Sequence, residues 1–255
     1  MSDLEIIYAG GEVRTLGCRP RLAAVGELFP VWTEKQVTIP RYKWQPCSWR
    51  HLVRRIMDQD GVGACNAFAA CQALETCRAM AGQPHVELFP GNLYGRINGG
   101  RDQGSVLGDA LRALTDDGVI VQLNGVQPWE WGRKSRPDDW ETEAAKYRIL
   151  EAYDCPTFEH IASAIQCGFL VDFGVMVGND FNPGADLWVP DYRRGGGGHA
   201  MCGVGLVERS GKWGILTANS WGERWGDGGF CVVPESYFQG TYNDAWAVRA
   251  VVQES

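Results

Sequence analysis

The spacing of apolar residues changes once along this chain, and that change constrains the fold. From Cys65 onward apolar side chains recur every three or four residues, which predicts a helix that Gly82 can end. Similar patterns predict a second helix, capped by Ser105 and ending at Gly118, and a shorter third one over 157–168. Helices first and strands later predict an α+β fold of two lobes, a helical N-terminal lobe and an antiparallel β lobe. The predicted strands are 169–177, 200–208, 213–221, 228–234 and 245–252.

Composition narrows the possible partners and location. The 255 residues are 45% hydrophobic, which is enough for a substantial core, and 24 basic against 31 acidic residues give a net charge of −7. An acidic chain is a poor partner for nucleic acid or an anionic membrane, and no run approaches the ~18 apolar residues of a membrane span. The first residues, MSDLEIIYAGGEV, lack the pattern of a secretion signal, so we expect a cytoplasmic protein.

Nine cysteines and four histidines raise the question of metal binding. The cysteine number is odd, no CxxC pair occurs, and the histidines do not cluster with cysteines at ligand spacing. We therefore expect mostly buried free thiols in a reducing compartment, with no metal and no cofactor.

Cys65 is the candidate nucleophile because it lies where a glycine-containing loop becomes a helix. A thiol attacks as thiolate, and a helix N-terminus lowers the pKa of a thiol through its dipole and free N–H groups. His199 is the candidate base, since it opens a predicted strand whose turn, ERSGK, leads into the next strand. Hairpin pairing then places residues 219–221 opposite His199, so Asn219 can orient the imidazole and Trp221 can shield their hydrogen bond.

Acyl transfer also requires hydrogen-bond donors for the developing oxyanion. Gln59, on the loop before Cys65, can supply a side-chain N–H, and the Cys65 backbone N–H can supply a second.

These motifs resemble those of papain-like cysteine peptidases. The matching pieces are Gln59 with Cys65 and the AF pair at 67–68, GHA at 198–200, and NSWGERWGDGGF at 219–230. In that family His and Asn follow the nucleophile by about 130–150 residues, and here 199 − 65 = 134 and 219 − 65 = 154. The resemblance implies a two-lobed papain-like fold with a β-barrel-like second lobe. It also implies hydrolysis of peptide bonds in peptide or protein substrates through a thioester acyl-enzyme.

The resemblance also implies substrate-binding residues. INGG at 97–100 resembles the loop whose backbone pairs with substrate, which assigns Gly99 and Gly100, although DQGS at 102–105 can align there instead. Trp221 covers the His–Asn contact. The resemblance also assigns three small residues to the lining of the pocket for a substrate side chain: Gly63, Gly174 and Ala200.

Three departures from the family pattern indicate a divergent bacterial or phage-type member. Val62 and Ile97 stand where half-cystines are usual, so the usual disulfides cannot form, and Asn66 replaces the aromatic residue after the nucleophile. Residues 1–40, here called the leader, read as irregular with short extended pieces, before a peptidase domain over 41–255. The leader is too short for a long helical propeptide, and we expect it either to cover the cleft or to be structural. A phage-encoded chain would be virion-associated.

Two other functions stay open. A catalytically weak or silent relative would bind peptides or serve in assembly, and a Cys–His acyl transferase or ligase would pass the acyl group to an amine. The GGGG run at 195–198 is a poor phosphate site, because no Lys-Ser/Thr follows and a strand rather than a helix comes next. It is better interpreted as a flexible rim of the cleft. The sequence leaves the oligomeric state undetermined.

Overall fold

A computed structural model describes residues 5–193, 196–239 and 243–250. Within these residues the helices are α1 (Trp32–Lys35), α2 (Cys65–Met80), α3 (Pro90–Ile97), α4 (Leu107–Asp116), α5 (Trp140–Ala144) and α6 (Phe158–Gln166). The strands before α6 are β1 (Glu5–Ala9), β2 (Glu12–Leu16), β3 (Cys18–Arg19), β4 (Cys47–Ser48), β5 (Ser105–Val106) and β6 (Glu151–Asp154). The later strands are β7 (Leu170–Val177), β8 (Gly197–Arg209), β9 (Lys212–Ala218), β10 (Phe230–Pro234) and β11 (Asn243–Arg249).

One sheet forms the β lobe, with strand order β10-β9-β8-β7-β11-β6 and the short β4 also paired to β8. All of its strand pairs are antiparallel. The helix α2 packs against β8 and β7, and its residues from Cys65 to Cys77 are buried. One apolar cluster fills the space between α2 and the sheet, and a second lies on the opposite face of the sheet beneath α6. The predicted two-lobed α+β fold is confirmed.

The predicted helices occur with one difference at a boundary. The first begins at Cys65 as expected, and the third follows Thr157, whose hydroxyl oxygen accepts a hydrogen bond from the His160 backbone N–H at 3.3 Å. Ser105 does not cap the second helix, which begins at Leu107. Ser105 lies instead in β5, and its hydroxyl oxygen accepts a hydrogen bond from Asn66. That tertiary hydrogen bond competes with capping and prevails.

The five predicted strands correspond to β7–β11, with ends that differ by a few residues. The predicted strand 213–221 ends at Ala218, and the last one ends at Arg249, its predicted residues 251–252 lying outside the described range. The leader is more regular than expected, because β1 and β2 form an antiparallel hairpin and β3 pairs in parallel with β5. No helix of the described residues is long and apolar enough to cross a membrane.

Candidate active site

Cys65 is the first residue of α2 and has no exposed surface. The loop before it turns sharply, with positive φ at Asp60 (43°) and Gly61 (76°), and the Asp58 carboxylate accepts a hydrogen bond from the Asp60 N–H. Glycine favours such a φ, and aspartate tolerates it. The turn ends at Ala64, so that Cys65 starts the helix facing β8.

The hairpin of β8 and β9 brings His199 to Asn219, as predicted. Arg209 pairs with Lys212 beside the turn, and Cys202 pairs with Ala218 near the other end. The His199 Nε2 lies 2.7 Å from the Asn219 Oδ1. An amide oxygen only accepts, so the Nε2 carries the proton and donates it, while among the described residues the His199 Nδ1 has no hydrogen-bond partner.

Trp221 covers this hydrogen bond. Its ring stacks on the His199 ring with centroids 4.6 Å apart and planes inclined by 22°. Phe181 packs edge-on against the Trp221 ring, at a centroid distance of 5.9 Å. His199 has no exposed surface and Asn219 is 2% exposed. Water is therefore excluded from the imidazole–amide contact, which strengthens it.

Gln59 joins the two lobes beside Cys65. Its Oε1 accepts a hydrogen bond from the Ser220 hydroxyl at 2.7 Å, and its backbone N–H donates to the Ser220 carbonyl at 3.0 Å. Its Nε2 donates to two carbonyl oxygens, Val62 at 2.8 Å and Thr15 at 3.1 Å. Ser220 was not among the predicted site residues, although it directly follows Asn219, and its backbone N–H also donates to the Asn219 Oδ1.

The leader passes through the cleft, by which we mean the space between the start of α2 and β8. Besides the Thr15 carbonyl at Gln59, the Gly17 carbonyl accepts a hydrogen bond from the Ser105 N–H at 2.9 Å. Gly17 lies so close to Gly63 that a Cβ on Gly17 would be 2.0 Å from the Gly63 carbonyl oxygen. Next along the chain, the Cys18 sulfur lies 2.7 Å from the position of a Cβ on Gly174.

Leader residues before Thr15 contact the other side of the cleft. The Glu5 carboxylate accepts a hydrogen bond from the Gly198 N–H at 3.1 Å, and the Tyr8 N–H donates to the Asn179 side chain at 2.9 Å. The guanidinium of Arg14 lies 5.4 Å from the centre of the Trp221 ring. The leader thus contacts both flanks of the cleft and Gln59 between them.

Burial sets the protonation states of the two central side chains. Burial raises the pKa of the Cys65 thiol to about 11, although hydrogen bonds with the backbone of Ala200, Gly17 and Asn66 act in the opposite direction. Burial also lowers the pKa of His199 to about 4, against the effect of the Asn219 hydrogen bond. The sequence predicted a lowered thiol pKa from the helix N-terminus; with the leader in place the pKa is raised, because the cleft is closed to water.

The structure brings most of the predicted substrate-binding residues together. Gly63 contacts Gly17, Gly174 contacts Cys18, and the Ala200 backbone reaches the Cys65 sulfur. Gly99 and Gly100 lie apart from this group, in an exposed turn where both have positive φ.

Ser105, in the alternative segment DQGS, is the residue that pairs with the leader, and sequence reasoning did not select it. Its position depends on Asn66, which directly follows Cys65. The Asn66 Nδ2 donates to the Ser105 carbonyl at 2.6 Å and to its hydroxyl at 3.0 Å, with Asn66 fully buried. Asp102 braces the same segment by accepting hydrogen bonds from the Gly63 N–H at 3.0 Å and the Tyr94 hydroxyl at 2.7 Å. The departure at Asn66 therefore has a structural reason, since it fixes β5 to the start of α2.

The following cysteines form no disulfide bonds in the structure. Free thiols occur at Cys47, Cys65, Cys71, Cys77, Cys155, Cys167, Cys202 and Cys231, and only Cys167 among them is exposed. The predicted preponderance of buried free thiols is confirmed.

Comparison with known proteins identifies the family. The model of the papain family of cysteine proteases matches residues 43–244. An uncharacterized peptidase C1-like protein of Acanthamoeba polyphaga mimivirus is 32% identical over an alignment of 219 residues that covers 76% of this chain and 70% of that protein.

Two solved structures share the fold. Xylellain, a cysteine protease from Xylella fastidiosa, has a TM-score of 0.72 at 20% identity, covering 99% of this chain and 100% of its own. Digestive procathepsin L 3 of Tenebrio molitor larval midgut has a TM-score of 0.68 at 19% identity, covering 92% and 75%. At such low identities the structural similarity shows the fold alone, and the family assignment rests on the family model and the viral relative. The chain belongs to the papain family of cysteine proteases and is a cysteine-type peptidase whose substrates are peptides or proteins.

Proposed function

We propose that this chain is a latent cysteine endopeptidase that cleaves peptide bonds through a thioester acyl-enzyme. The observation that carries the proposal is the buried His199–Asn219 hydrogen bond of 2.7 Å, whose imidazole keeps its Nδ1 unpartnered within the described residues. The neighbouring Ala200 backbone reaches the Cys65 sulfur. A nucleophile, a base with one available nitrogen and an orienting amide then lie in one cleft.

In the proposed mechanism the His199 Nδ1 takes the proton of the Cys65 thiol. The thiolate attacks the substrate carbonyl carbon, so that a C–S bond forms and the carbonyl oxygen becomes negatively charged. As the C–N bond breaks, His199 gives its proton to the departing amine and a thioester remains. Water, deprotonated by His199, then attacks the thioester; the C–S bond breaks, and the acid product and free thiol are released.

Gln59 is the proposed side-chain donor to the oxyanion. Its Nε2 donates to the Thr15 carbonyl oxygen of the leader, and this acceptor supports the proposal that a substrate carbonyl oxygen takes the same place once the leader leaves. The Cys65 backbone N–H is the proposed second donor, at the start of α2 where helix N–H groups have no intrahelical partner. Ser220 keeps the Gln59 amide in this orientation by donating to its Oε1.

We also propose that residues 1–40 keep the chain latent and that 41–255 form the peptidase domain. Leader contacts at Thr15, Gly17 and Cys18 fill the places next to Gln59, Cys65 and Gly174. A substrate cannot bind there until those residues leave. Latency from a closed cleft also favours a second candidate, a catalytically silent relative that binds peptides without cleaving them.

A thiol trap tests the proposal. We expect an epoxide or vinyl sulfone peptide to label Cys65 once the leader is displaced, and Cys65→Ala to abolish labelling. Cys71→Ala, a control in the same helix, leaves labelling intact. With the leader displaced, Cys65→Ser and His199→Ala each abolish hydrolysis of a casein substrate. Absence of labelling in a folded protein with an open cleft supports the silent relative. Equal hydrolysis by Cys65→Ser and by the protein with Cys65 intact, both with the leader displaced, refutes the mechanism.

The reaction product distinguishes an acyl transferase from a peptidase. With an added primary amine, mass analysis of the product shows a free acid for a peptidase and an amide for a transferase.

A further inference from the structure

Three buried carboxylates lie together where β6, β7 and β11 meet. Trp246 of β11 is the strand partner of both Asp172 and Asp154, and Asp244 lies two residues before it on the same face of the strand. Asp154 and Asp172 have no exposed surface and Asp244 is 3% exposed. Removing carboxylates from water is costly unless a cation or hydrogen bonds compensate for the lost hydration.

A leader arginine supplies that compensation. The Arg21 Nη2 lies 3.0 Å from the Asp154 Oδ2 and 3.3 Å from the Asp244 Oδ1, and its guanidinium carbon lies 4.6 Å from the centre of the Trp246 ring. Two carboxylates and an aromatic face are the surroundings that suit a planar guanidinium.

One guanidinium does not satisfy three carboxylates. Neither oxygen of Asp172 accepts a hydrogen bond from a described residue, whereas the Asp244 carboxylate has the Arg21 guanidinium and the Trp246 side chain beside it. Burial raises the pKa of Asp172 well above its ordinary value, with a further contribution from the nearby Asp244. Burial likewise raises the pKa of Asp244 to about 6, although Arg21 acts in the opposite direction. The raised pKa values favour uncharged carboxyl groups, so the cluster lacks the hydrogen-bond donors and the positive charge that would keep all three carboxylates ionised.

The carboxylates border the cleft. Asp244 is the direct strand partner of Gly174, and Gly174 is the residue against which the Cys18 sulfur packs. A side chain longer than cysteine, entering beside Gly174, would extend toward Asp244. Within the described part of the chain no group of three or more His, Cys, Asp or Glu side chains could hold a metal ion.

We propose that Asp154, Asp244 and Trp246 form a guanidinium-binding site, which Arg21 occupies in the latent chain and an arginine side chain of the substrate occupies after the leader leaves. The substrate part of this proposal rests on the proposed peptidase function. In this proposal the substrate residue that carries the arginine lies beside β5, as the leader residues following Gly17 do.

Binding to the site is tested without any enzymatic assay. The full-length Arg21→Ala protein empties the site, and N-acetylargininamide serves as probe with the uncharged isostere N-acetylcitrullinamide as control. We expect the arginine derivative at millimolar concentration to raise the melting temperature of Arg21→Ala by about 2 °C or more. The citrulline derivative has no such effect, and Arg21→Ala/Asp244→Asn loses the response.

Arg41→Ala is the matched control variant. Arg41 also pairs with a carboxylate, Glu235 at 2.7 Å, and lies 5.0 Å from the centre of the Trp44 ring, but at an exposed position. Its removal creates no response to the probe. If Arg21→Ala does not fold, Arg21→Gln replaces it in the experiment, because glutamine keeps a polar side chain but removes the guanidinium from the site. Equal shifts with arginine and citrulline derivatives overturn the proposal.

Specificity is tested in the full-length Gly17→Val/Arg21→Gln protein, in which the leader cannot pack against Gly63. Matched peptides carry arginine, citrulline or norleucine at the position beside Gly174. We expect kcat/KM to favour arginine over citrulline by about tenfold or more, as expected for a charge-assisted hydrogen bond, and the added Asp244→Asn to bring the ratio to about two or less. Equal cleavage of all three peptides overturns the substrate assignment while leaving the peptidase proposal standing. Absence of any cleavage refutes the peptidase proposal and with it the substrate assignment, while the binding experiment still decides the guanidinium site.

Discussion

Gly17 is the position at which a single substitution should open the cleft. A Cβ there would lie 2.0 Å from the Gly63 carbonyl oxygen and 2.7 Å from the Gly63 Cα, whereas Cβ atoms essentially never approach a heavy atom closer than 3.0 Å. Gly17→Val therefore moves the leader away from Gly63 by about 1 Å or more. The substitution lies outside the proposed catalytic residues, so it alters access to them and leaves their chemistry in place.

The expected magnitude follows from the contacts that this displacement breaks. Overpacking costs about 1–3 kcal/mol. Two hydrogen bonds, from the Ser105 N–H to the Gly17 carbonyl at 2.9 Å and from Gln59 to the Thr15 carbonyl at 3.1 Å, contribute about 1 kcal/mol each. Together they destabilise the closed state by about 3–5 kcal/mol, which raises the ratio of open to closed molecules by at least about 100-fold.

The assay is alkylation by iodoacetamide, followed by mass spectrometry of the peptide that contains Cys65. Cys167, which is exposed, provides an internal reference for reagent reactivity in the same sample. We expect Cys65 to react at least about 100-fold faster in Gly17→Val than in wild type. Gly132→Val is the matched control, because Gly132 has φ −73° and a Cβ there meets no atom within 4 Å. An unchanged Cys65 rate in folded Gly17→Val would refute the assignment of the leader as the barrier.

The remaining predictions concern the thiol, the β5 strand and the imidazole. In wild type the alkylation rate of Cys65 rises about tenfold per pH unit from pH 7 to 9, because a thiol pKa near 11 leaves little thiolate below it, whereas in Gly17→Val the rate levels off at a lower pH. Asn66→Ala leaves the buried Ser105 carbonyl without its donor and lowers the free energy of unfolding by about 2–3 kcal/mol, measured by urea denaturation. Asn219→Ala in the Gly17→Val background frees the His199 ring and lowers kcat more than it changes KM. A change in KM with kcat unaffected contradicts an orienting role for Asn219.

The pairing of His199 with Asn219 could be predicted because each step depends on local pattern. The turn ERSGK fixes the centre of the β8–β9 hairpin, and antiparallel pairing then determines which residues are opposite. Cys65 at the start of α2 likewise follows from the helical period and the glycines before it. The irregularity between Gly203 and Gly205 was not predicted. It lies between the turn and His199 and shifts the pairing beyond it by one residue, a shift that the predicted range 219–221 is wide enough to include.

The position of the leader could not be predicted by the same means. Its contacts with the cleft use the carbonyl oxygens of Thr15 and Gly17, and a backbone carbonyl leaves no signature in the sequence. Ser105 shows a related difficulty: a serine before an apolar stretch predicts an N-cap, yet its hydroxyl is committed to Asn66 from a helix 39 residues earlier. The tendency of serine to cap a helix is overridden here by a tertiary hydrogen bond whose donor is distant in sequence.

Under the proposed latency, the leader would both block substrate from the cleft and keep the Cys65 thiol protonated. With the leader in place the Cys65 thiol has a pKa near 11 and the His199 imidazolium one near 4, so the neutral pair is strongly favoured at neutral pH. Burial is the largest cause of both shifts, and Gly17 lies at the sulfur while Arg14 lies near the imidazole. Departure of this one segment would admit substrate, lower the thiol pKa and raise that of the imidazole together. The pH profile of Gly17→Val separates the two effects: faster alkylation with an unchanged inflection means that the leader acts only as a steric barrier, whereas a lower inflection means that it also keeps the thiol protonated.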